Sequence, residues 1–302
     1  MESLLMSTYG AGATLTATDI SAAASDNSLN SAGAGFGSFA AGMIIDVSGF
    51  TGETGNNSLA VVVSQTNSKL VLSGVTLVDD AAGESVTITQ YDTIKPGTTR
   101  KSISYLEDLP DITERYSVFT GYEPSSFNIS IQPDAVITGS FTLAGKDTTA
   151  PSASAPASST LGSATTTDIQ DSFTGSCLEA GVAFEVTGVD LTIENARNPK
   201  FVLFQDTTNQ PSRGRVMITG TVNLFFDSVA FYNKFLNETE TSFLFATTDP
   251  DGNKEVWYLP KVKVNSHDKT FEQDGAITAS ASIRAIYDPT SATSFAHGKL
   301  NA

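Results

Sequence analysis

The sequence is poor in the side chains that build disulfides and metal sites. It contains one cysteine, Cys177, and two histidines, His267 and His297, among 302 residues. A single thiol cannot form an intrachain disulfide, so the fold does not depend on an oxidising compartment. Both histidines lie in polar stretches that predict loops, with no second His or Cys at the spacing of a zinc site. We therefore predict no metal and no cofactor, and a small apolar packing role for Cys177.

Basic residues are also scarce. The chain has 17 Lys and Arg against 33 Asp and Glu, which gives a formal net charge of -16 at pH 7. The basic residues are scattered along the sequence. Because binding of phosphate groups requires clustered Lys and Arg, the composition argues against sequence-specific nucleic-acid binding. No apolar run approaches membrane-spanning length, and the first residues, MESLLMSTYG, lack the basic region of an export signal. These absences predict a protein that is made and used in soluble form.

A β pattern covers most of the sequence. Short runs rich in Val, Thr and Ser are separated by Gly, Asn, Asp and Pro, which favours strands and turns over helix bundles. After Arg100 apolar and polar residues alternate with period two, as in antiparallel strands with one covered face. Those runs are KSISYLEDL, RYSVFTGYE, SSFNISIQP and AVITGSFTLAGK. Later runs, including PKFVLFQDTT, TSFLFATT and EVWYLPKVKVN, also predict strands.

One helix stands out in the second half of the chain. It is predicted from Ser228 to about Leu236, with Asp227 or Ser228 as the N-cap. The apolar residues of this segment recur at helical spacing, which predicts that one face packs on the strands. That face consists of Val229, Phe231, Tyr232, Phe235 and Leu236.

Comparing the chain with itself indicates an internal duplication. The helix FYNKFLNET is followed by TSFLFATT, a DPDGN turn, EVWYLPKVKV and AITASASIRAIYDP. The segment ESLLMST near the start is followed, after an intervening module, by KSISYLED, YSVFTGYEPSSF and AVITGSFTLAGKD in the same order. The module is then an insertion into the first copy, and we expect it to project from the surface.

The predicted fold is mainly β, with a sandwich or barrel body, a duplicated unit, one short helix and a small inserted all-β module. Residues 1–9 form the helix of the first unit, 10–98 the inserted module, 99–146 the remainder of the first unit, 147–176 an arm and 177–302 the second unit. The arm is predicted to be extended because it is rich in Ala, Ser, Thr and Pro and poor in large apolar side chains. Strands precede the second helix but not the first, so the chain is expected to begin inside its first copy.

Two acidic clusters invite a chemical interpretation. Glycosidases use paired acids, but no aromatic platform surrounds the predicted acidic loop of Glu107, Asp108, Asp111 and Glu114. The segment DPDGNKE at 249–255 has acids two apart, as calcium loops do, but lacks their full register, so a hairpin turn is favoured. No nucleophile-elbow, P-loop or dinucleotide-binding motif is present. We place no catalytic residue and predict that the protein is not an enzyme.

Several separated patches between about residues 100 and 290 resemble the tail-tube proteins of long-tailed phages and prophages. In that family a KSFTIEK-like strand precedes an FTG turn, and a VTGSF strand ending in GK and an Ala/Ser/Thr-rich linker follow. The second half resembles the same family through RGRVMITGTVNLFFDS, the YNKFLNET helix and the DPDGN hairpin. The residues that match these motifs, which we assign a structural role, are Phe119, Gly121, Gly139, Lys146, Asn233, Lys234, Phe235 and Asn237.

The resemblance implies a self-assembling subunit whose sheets join those of its neighbours into stacked rings with six-fold or pseudo-six-fold symmetry. The implied partners are further copies, the tape-measure protein and phage DNA passing through the lumen. The implied location is the virion, after assembly in the host cytoplasm.

We interpret three basic residues as surface charges, and salt bridges between rings are the alternative. These residues are Arg213, Arg215 and Lys234. Family members usually carry further strands ahead of the first helix. Three explanations stay open for their absence here: an internal start codon, strands supplied by a neighbour, or a truncated relative. The alternative function is a virion decoration or adhesin protein with a glycan-binding module.

Overall fold

The structure is a computed structural model that describes residues 1–33, 35–157, 169–172, 174–212, 214–226, 228–271 and 276–301. Antiparallel sheets of seven, thirteen and two strands make up most of these residues. Two α-helices are present in the described part, α1 (Glu2–Leu5) and α2 (Val229–Leu236). No helix among the described residues is long and apolar enough to cross a membrane. The protein is therefore mainly β, as its sequence predicts.

The seven-stranded sheet lies within residues 14–90. Its strands are β1 (Thr14–Ala17), β2 (Ile20–Ala23), β3 (Ser28–Ser31), β4 (Ile44–Ser48), β5 (Leu59–Thr66), β6 (Lys69–Ser73) and β7 (Val86–Gln90). Their order in the sheet is β1-β7-β4-β5-β6-β3-β2. The two edge strands, β1 and β2, are joined by only two residues, so the sheet must curl until its edges approach each other. The curled sheet surrounds its own apolar core, which includes Phe36, Phe39 and Phe50.

The remaining strands run from residue 92 to residue 300. They are β8 (Asp92–Ile94), β9 (Ile103–Asp108), β10 (Tyr116–Ile131), β11 (Thr138–Ala144), β12 (Asp147–Thr148), β13 (Gly175–Glu179), β14 (Val182–Ala183), β15 (Gly188–Glu194), β16 (Asn198–Lys200), β17 (Asn209–Ser212), β18 (Met217–Phe225), β19 (Thr241–Thr248), β20 (Lys254–Thr270), β21 (Thr278–Ala285) and β22 (Ala296–Leu300). The main path through the large sheet is β11-β10-β15-β18-β21-β20-β19-β13-β14. Strands β16 and β17 form a separate two-stranded hairpin.

Two long strands organise the large sheet. The first half of β10 pairs with β9 and its second half with β11, and β20 divides in the same way between β19 and β21. The sequence predicts two strands, RYSVFTGYE and SSFNISIQP, where the structure has the single strand β10. Each long strand contains a proline next to a shift in pairing register: Pro124 in β10 and Pro260 in β20. Because proline lacks the N–H that a ladder needs, such irregularities are where a strand accommodates it.

The module is packed against the body. One apolar cluster contains Ile44 and Tyr91 from the module side together with Leu244, Val256 and Tyr258 from β19 and β20. An ion pair from Lys254 to Asp46, 2.7 Å long, and pairing of β8 with β22 add polar contacts. Alternate residues of β20 face opposite ways, so Val256 packs on the module while Trp257 packs in the main core. The module is therefore fixed to the body where the two meet, and both faces of this part of the sheet are covered. That the rest of the module projects from the surface stays a prediction.

Other edges of the sheet are barely covered. All but the last residue of β11 are exposed, and most of β9 is exposed as well. The predicted covered face is therefore missing on these two strands, because no second layer from the described residues packs over them. In the predicted arm, β12 pairs with β10, and residues 158–168 lie outside the described residues.

Candidate functional site

The predicted acidic loop is a hairpin between β9 and β10. Arg115 donates two hydrogen bonds to the Asp108 carboxylate, at 2.5 and 2.8 Å, and Leu109 N–H donates to the Arg115 carbonyl. The guanidinium holds the pKa of Asp108 below its usual range. A glycosidase needs one carboxylic acid whose pKa is raised, whereas the shift here has the opposite sign. The pair of Arg115 and Asp108 thus stabilises a turn, and Asp108 is not the acid of raised pKa that a glycosidase needs.

The DPDGNKE segment forms the hairpin turn that the sequence favours. It joins β19 to β20, and the Asp249 carboxylate accepts hydrogen bonds from the backbone and side-chain N–H groups of Asn253, at 2.7 and 2.8 Å. Among the described residues no group of three or more His, Cys, Asp or Glu side chains is placed to hold a metal ion. The turn therefore uses its acidic residue to close the hairpin.

Both histidines lie in strands and are buried, which corrects the prediction of polar loops. His297 in β22 has its Nδ1 2.7 Å from the Tyr9 hydroxyl and its Nε2 3.7 Å from Glu255. His267 in β20 packs among the rings of Phe226, Phe231 and Tyr232. For His267 the polar context misled the prediction, because alternation along a strand places the histidine inward between the polar residues Ser266 and Asp268.

Three of the four motif residues of the first half, Phe119, Gly121 and Lys146, come together at one point. Phe119 stacks on Tyr105 with ring centroids 4.6 Å apart, and Lys146 N–H donates to the Thr120 carbonyl. Gly121 has a φ of +65°, and a Cβ there would lie 2.7 Å from Cβ of Lys146. Only glycine fits this close approach. Gly139 lies apart from this group, in β11, against the ring of Phe127.

The motif residues of the second half lie on α2. Ser228 is its N-cap and accepts from Ala230 N–H; Asp227, the alternative, lies outside the described residues. Lys234 forms an ion pair with Glu179 of β13 and lies 3.2 Å from the Thr241 hydroxyl. The Asn237 N–H donates to the Asn233 carbonyl at the end of the helix, and Phe235 contacts Tyr232. Lys234 thus has a partner within its own chain, while Arg213 falls outside the described part and Arg215 is exposed.

The predicted apolar face of α2 is only partly buried. Phe231 is in the core, whereas Val229 and Leu236 are exposed. The rings of Phe226 and Tyr232 instead hold the Lys269 ammonium, at 3.9 and 4.1 Å from their centroids. A cation over aromatic faces is a stabilising contact. The helix is therefore fixed by a cation and an ion pair as well as by apolar packing.

A buried ion cluster has no signal in the sequence. Glu123 in β10 contacts Arg100 and, at 3.2 Å, Arg197, and the side chains of Glu123 and Arg197 are almost fully excluded from solvent. Arg100 follows the module, and Arg197 follows β15. Partners this far apart in the chain meet only through the fold, so no local pattern could have identified them.

Two hairpins each carry several exposed apolar side chains, and the most exposed ones in the described part of the chain lie on the first of them. Between β16 and β17, Phe201, Leu203 and Phe204 are 83%, 82% and 103% exposed. The β9–β10 hairpin exposes Ile103, Tyr105, Leu109 and Ile112. The sequence predicts a strand over PKFVLFQDTT, but β16 ends at Lys200 and the apolar run forms the tip. Contiguous exposed apolar surface of this kind marks a protein interaction site.

Comparisons with known proteins agree with an assembly role. A family model described as "Phage tail tube protein" matches residues 6–285. A search of curated proteins gives no match. Among solved structures, the chain is similar to the SPP1 tail tube determined by solid-state NMR and cryo-EM, at 13% identity and a TM-score of 0.26, over 59% of this chain and 77% of that chain. That structural similarity is too low to carry an argument, whereas the family match covers nearly the whole chain.

Proposed function

This chain belongs to the phage tail tube protein family, and from that premise we propose that its copies form rings that stack into the conduit for phage DNA. The match over residues 6–285 makes it a structural subunit of a tail tube and a component of the virion. The exposed strands β9 and β11 support the proposal that copies of the chain form rings. Strands without a covering layer are available to pair and pack with neighbouring subunits.

We also propose that the body consists of two tube units. In the second unit α2 is followed by β19, the 17-residue β20 and β21; in the first, α1 is followed by the module and then by β9, the 16-residue β10 and β11. Helix α1 packs on β10 as α2 packs on β20. The long strand divides its pairing between its two neighbours in both units. This shared plan supports a duplication and an insertion of the module between the helix and first strand of the first unit.

A duplicated chain predicts three chains per ring with pseudo-six-fold symmetry, rather than six. Native mass spectrometry of isolated rings distinguishes the two, because each chain contributes 31.7 kDa. Three chains per ring would support the duplication. Six chains would leave the tube function intact and refute the proposal that each half is a complete tube unit.

The proposed partners in the lumen are the tape-measure protein during assembly and DNA during ejection. The formal charge of -16 agrees with the passage of DNA, because an acidic protein does not retain a polyanion. Assembly is proposed to take place in the host cytoplasm.

Negative-stain electron microscopy of the purified chain tests the central proposal. We expect rings or tubes with a central channel, at protein concentrations that promote self-association. A protein that stays monomeric across a wide concentration range, both alone and with its tape-measure protein, contradicts the proposal.

A further inference from the structure

A polar face lies on strands β15, β18 and β21, which are neighbours in the large sheet. Along each strand, buried apolar residues alternate with polar residues that stay partly or fully exposed. Nine residues form the centre of this polar face: Asp190, Thr192, Glu194, Thr219, Thr221, Asn223, Ser280, Ser282 and Arg284. The buried residues between them belong to the main core. Within the described part of the chain, therefore, one side of these strands is closed by the core and the other is open.

The polar face is rich in hydroxyl and amide groups and poor in charge. Of its nine residues only Asp190, Glu194 and Arg284 are charged, although the whole chain carries a formal charge of -16. The strand register aligns the side chains in rows, and in one row Asp190 pairs with Thr221 and Thr221 with Ser282. None of the nine is aromatic or apolar. The face thus presents an even array of small polar groups across three strands.

A cavity shows that the large sheet is folded into two layers. Val189 of β15 and Phe245 of β19 line this cavity together, and its volume is about 300 Å³. Their strands are four positions apart in the order β15-β18-β21-β20-β19 and would be about 19 Å apart in a flat sheet. They meet only because the sheet folds back, so that one layer contains β15, β18 and β21 and the other contains β19.

The module and the polar face lie on opposite sides of this two-layered body. In β19, Phe243 and Phe245 face the main core, whereas Leu244 between them packs on the module. The module therefore covers the outer side of the layer that contains β19. The polar face is the outer side of the other layer, since Val189 and Leu191 of β15 face the same core. The outer sides of two layers that face each other point in opposite directions.

We propose that the polar face lines the channel of the tube and is the surface past which DNA moves. This inference rests on the proposed function, which requires one side of every copy to face the channel. The module is excluded from that side, because a folded domain of residues 14–90 in every copy would obstruct the passage of a double helix. The side opposite the module is the polar face.

The chemistry of the polar face suits a surface that DNA passes without being held. Retention of DNA phosphates requires clustered Lys and Arg, and stacking of bases requires aromatic side chains. The nine residues include a single base, Arg284, and no aromatic ring. Hydroxyl and amide groups exchange their hydrogen bonds with water, so a moving polyanion meets neither a strong binding site nor an apolar contact.

Cysteine accessibility tests this assignment. Thr219→Cys places a thiol on the polar face, and a Cys177→Ala background removes the native thiol. Val78→Cys, at an exposed position of the module, is the matched control. In dispersed subunits both introduced thiols should react with N-ethylmaleimide and with a maleimide attached to a large polymer. In assembled tubes T219C should keep its reaction with the small reagent and lose that with the large one, whereas V78C should keep both.

Two results would overturn the proposal. Reaction of T219C tubes with the large reagent would place the polar face on the outside of the tube. Protection of T219C from both reagents would show that another copy covers the face. Ser282→Cys, on the neighbouring strand β21, repeats the measurement where T219C does not assemble. Failure of the wild-type protein to form tubes would instead count against the proposed function.

Discussion

At the scale of single residues, burial sets side-chain pKa values that the sequence alone does not predict. His267 is flanked by Ser266 and Asp268, a polar context that predicts a loop, yet it is buried against α2. Burial lowers the pKa of His267, and the nearby Lys269 lowers it further. Burial likewise raises the pKa of the Cys177 thiol to about 12, which keeps the thiol protonated and unreactive at neutral pH. In both cases the property comes from residues distant in sequence.

Acid is predicted to destabilise the fold through His267. Its pKa is lower in the folded state than the roughly 6.5 of an unfolded chain, so protonation favours unfolding. The stability that neutral His267 contributes is fully present above about pH 6.5. This contribution is lost as the pH falls through that value towards the folded pKa. The fall in melting temperature between pH 7.5 and 5.5 should be larger for the wild type than for His267→Phe, which keeps a ring in the aromatic cluster.

Lys269→Met is the matched comparison for this prediction. It keeps the imidazole but removes the neighbouring positive charge. Its fall in melting temperature between pH 7.5 and 5.5 should therefore lie between those of the wild type and H267F. An H267F variant with the full wild-type pH dependence would show that other groups are responsible.

At the scale of elements, sequence patterns located the strands and α2 well, but not their partners. Ser228 as N-cap and the 249–253 turn are local features, and both are confirmed. The length of β10 and the division of its pairing depend on β9, β11 and β15, which lie at other points of the chain. The exposed ends of α2, Val229 and Leu236, were predicted as packed because helical spacing does not say how far a neighbouring sheet extends.

The ion pair between Lys234 and Glu179 is predicted to fasten α2 to the sheet. Both side chains are mostly buried, so their interaction is less screened than a surface pair. A double-mutant cycle with Lys234→Met and Glu179→Gln, followed by chemical denaturation, should give a coupling free energy of about 1 kcal/mol. The control cycle uses Lys263 and Glu238, whose charged atoms are 3.6 Å apart and largely exposed, and should give no measurable coupling. Equal coupling in the two cycles would contradict a specific role for Lys234.

At the scale of the whole molecule, the module and body share one apolar cluster. Ile44 and Val61 of the module pack with Leu244, Val256 and Tyr258 of the body, and the Tyr258 hydroxyl lies 3.2 Å from that of Ser73. The contiguous apolar runs at 243–245 and 256–259 are the sequence signal of strands covered on both faces. A module packed in this way keeps one orientation relative to the body.

The shared cluster predicts that module and body unfold in one transition. Ile44→Ala removes side-chain volume from the contact and should lower the free energy of unfolding by about 2–5 kcal/mol. Scanning calorimetry should show one peak for the wild type, shifted as a whole in I44A. The exposed Val78→Ala is the control and should change stability by less than about 0.5 kcal/mol. Two wild-type peaks, with only one of them moved by I44A, would mean that the module folds independently.

The sequence by itself determined the β class, the strands and turns set by period-two alternation, the capped helix α2 and the family resemblance, because each is encoded by residues close together in the chain. The tertiary structure alone decided which surfaces are covered. It packed the module on β19 and β20, buried His267, His297 and the Glu123 cluster, and left Phe201 to Phe204 at an exposed tip. Burial depends on contacts between distant segments. An apolar run has the same sequence pattern whether it lies in a core or on the surface of the subunit.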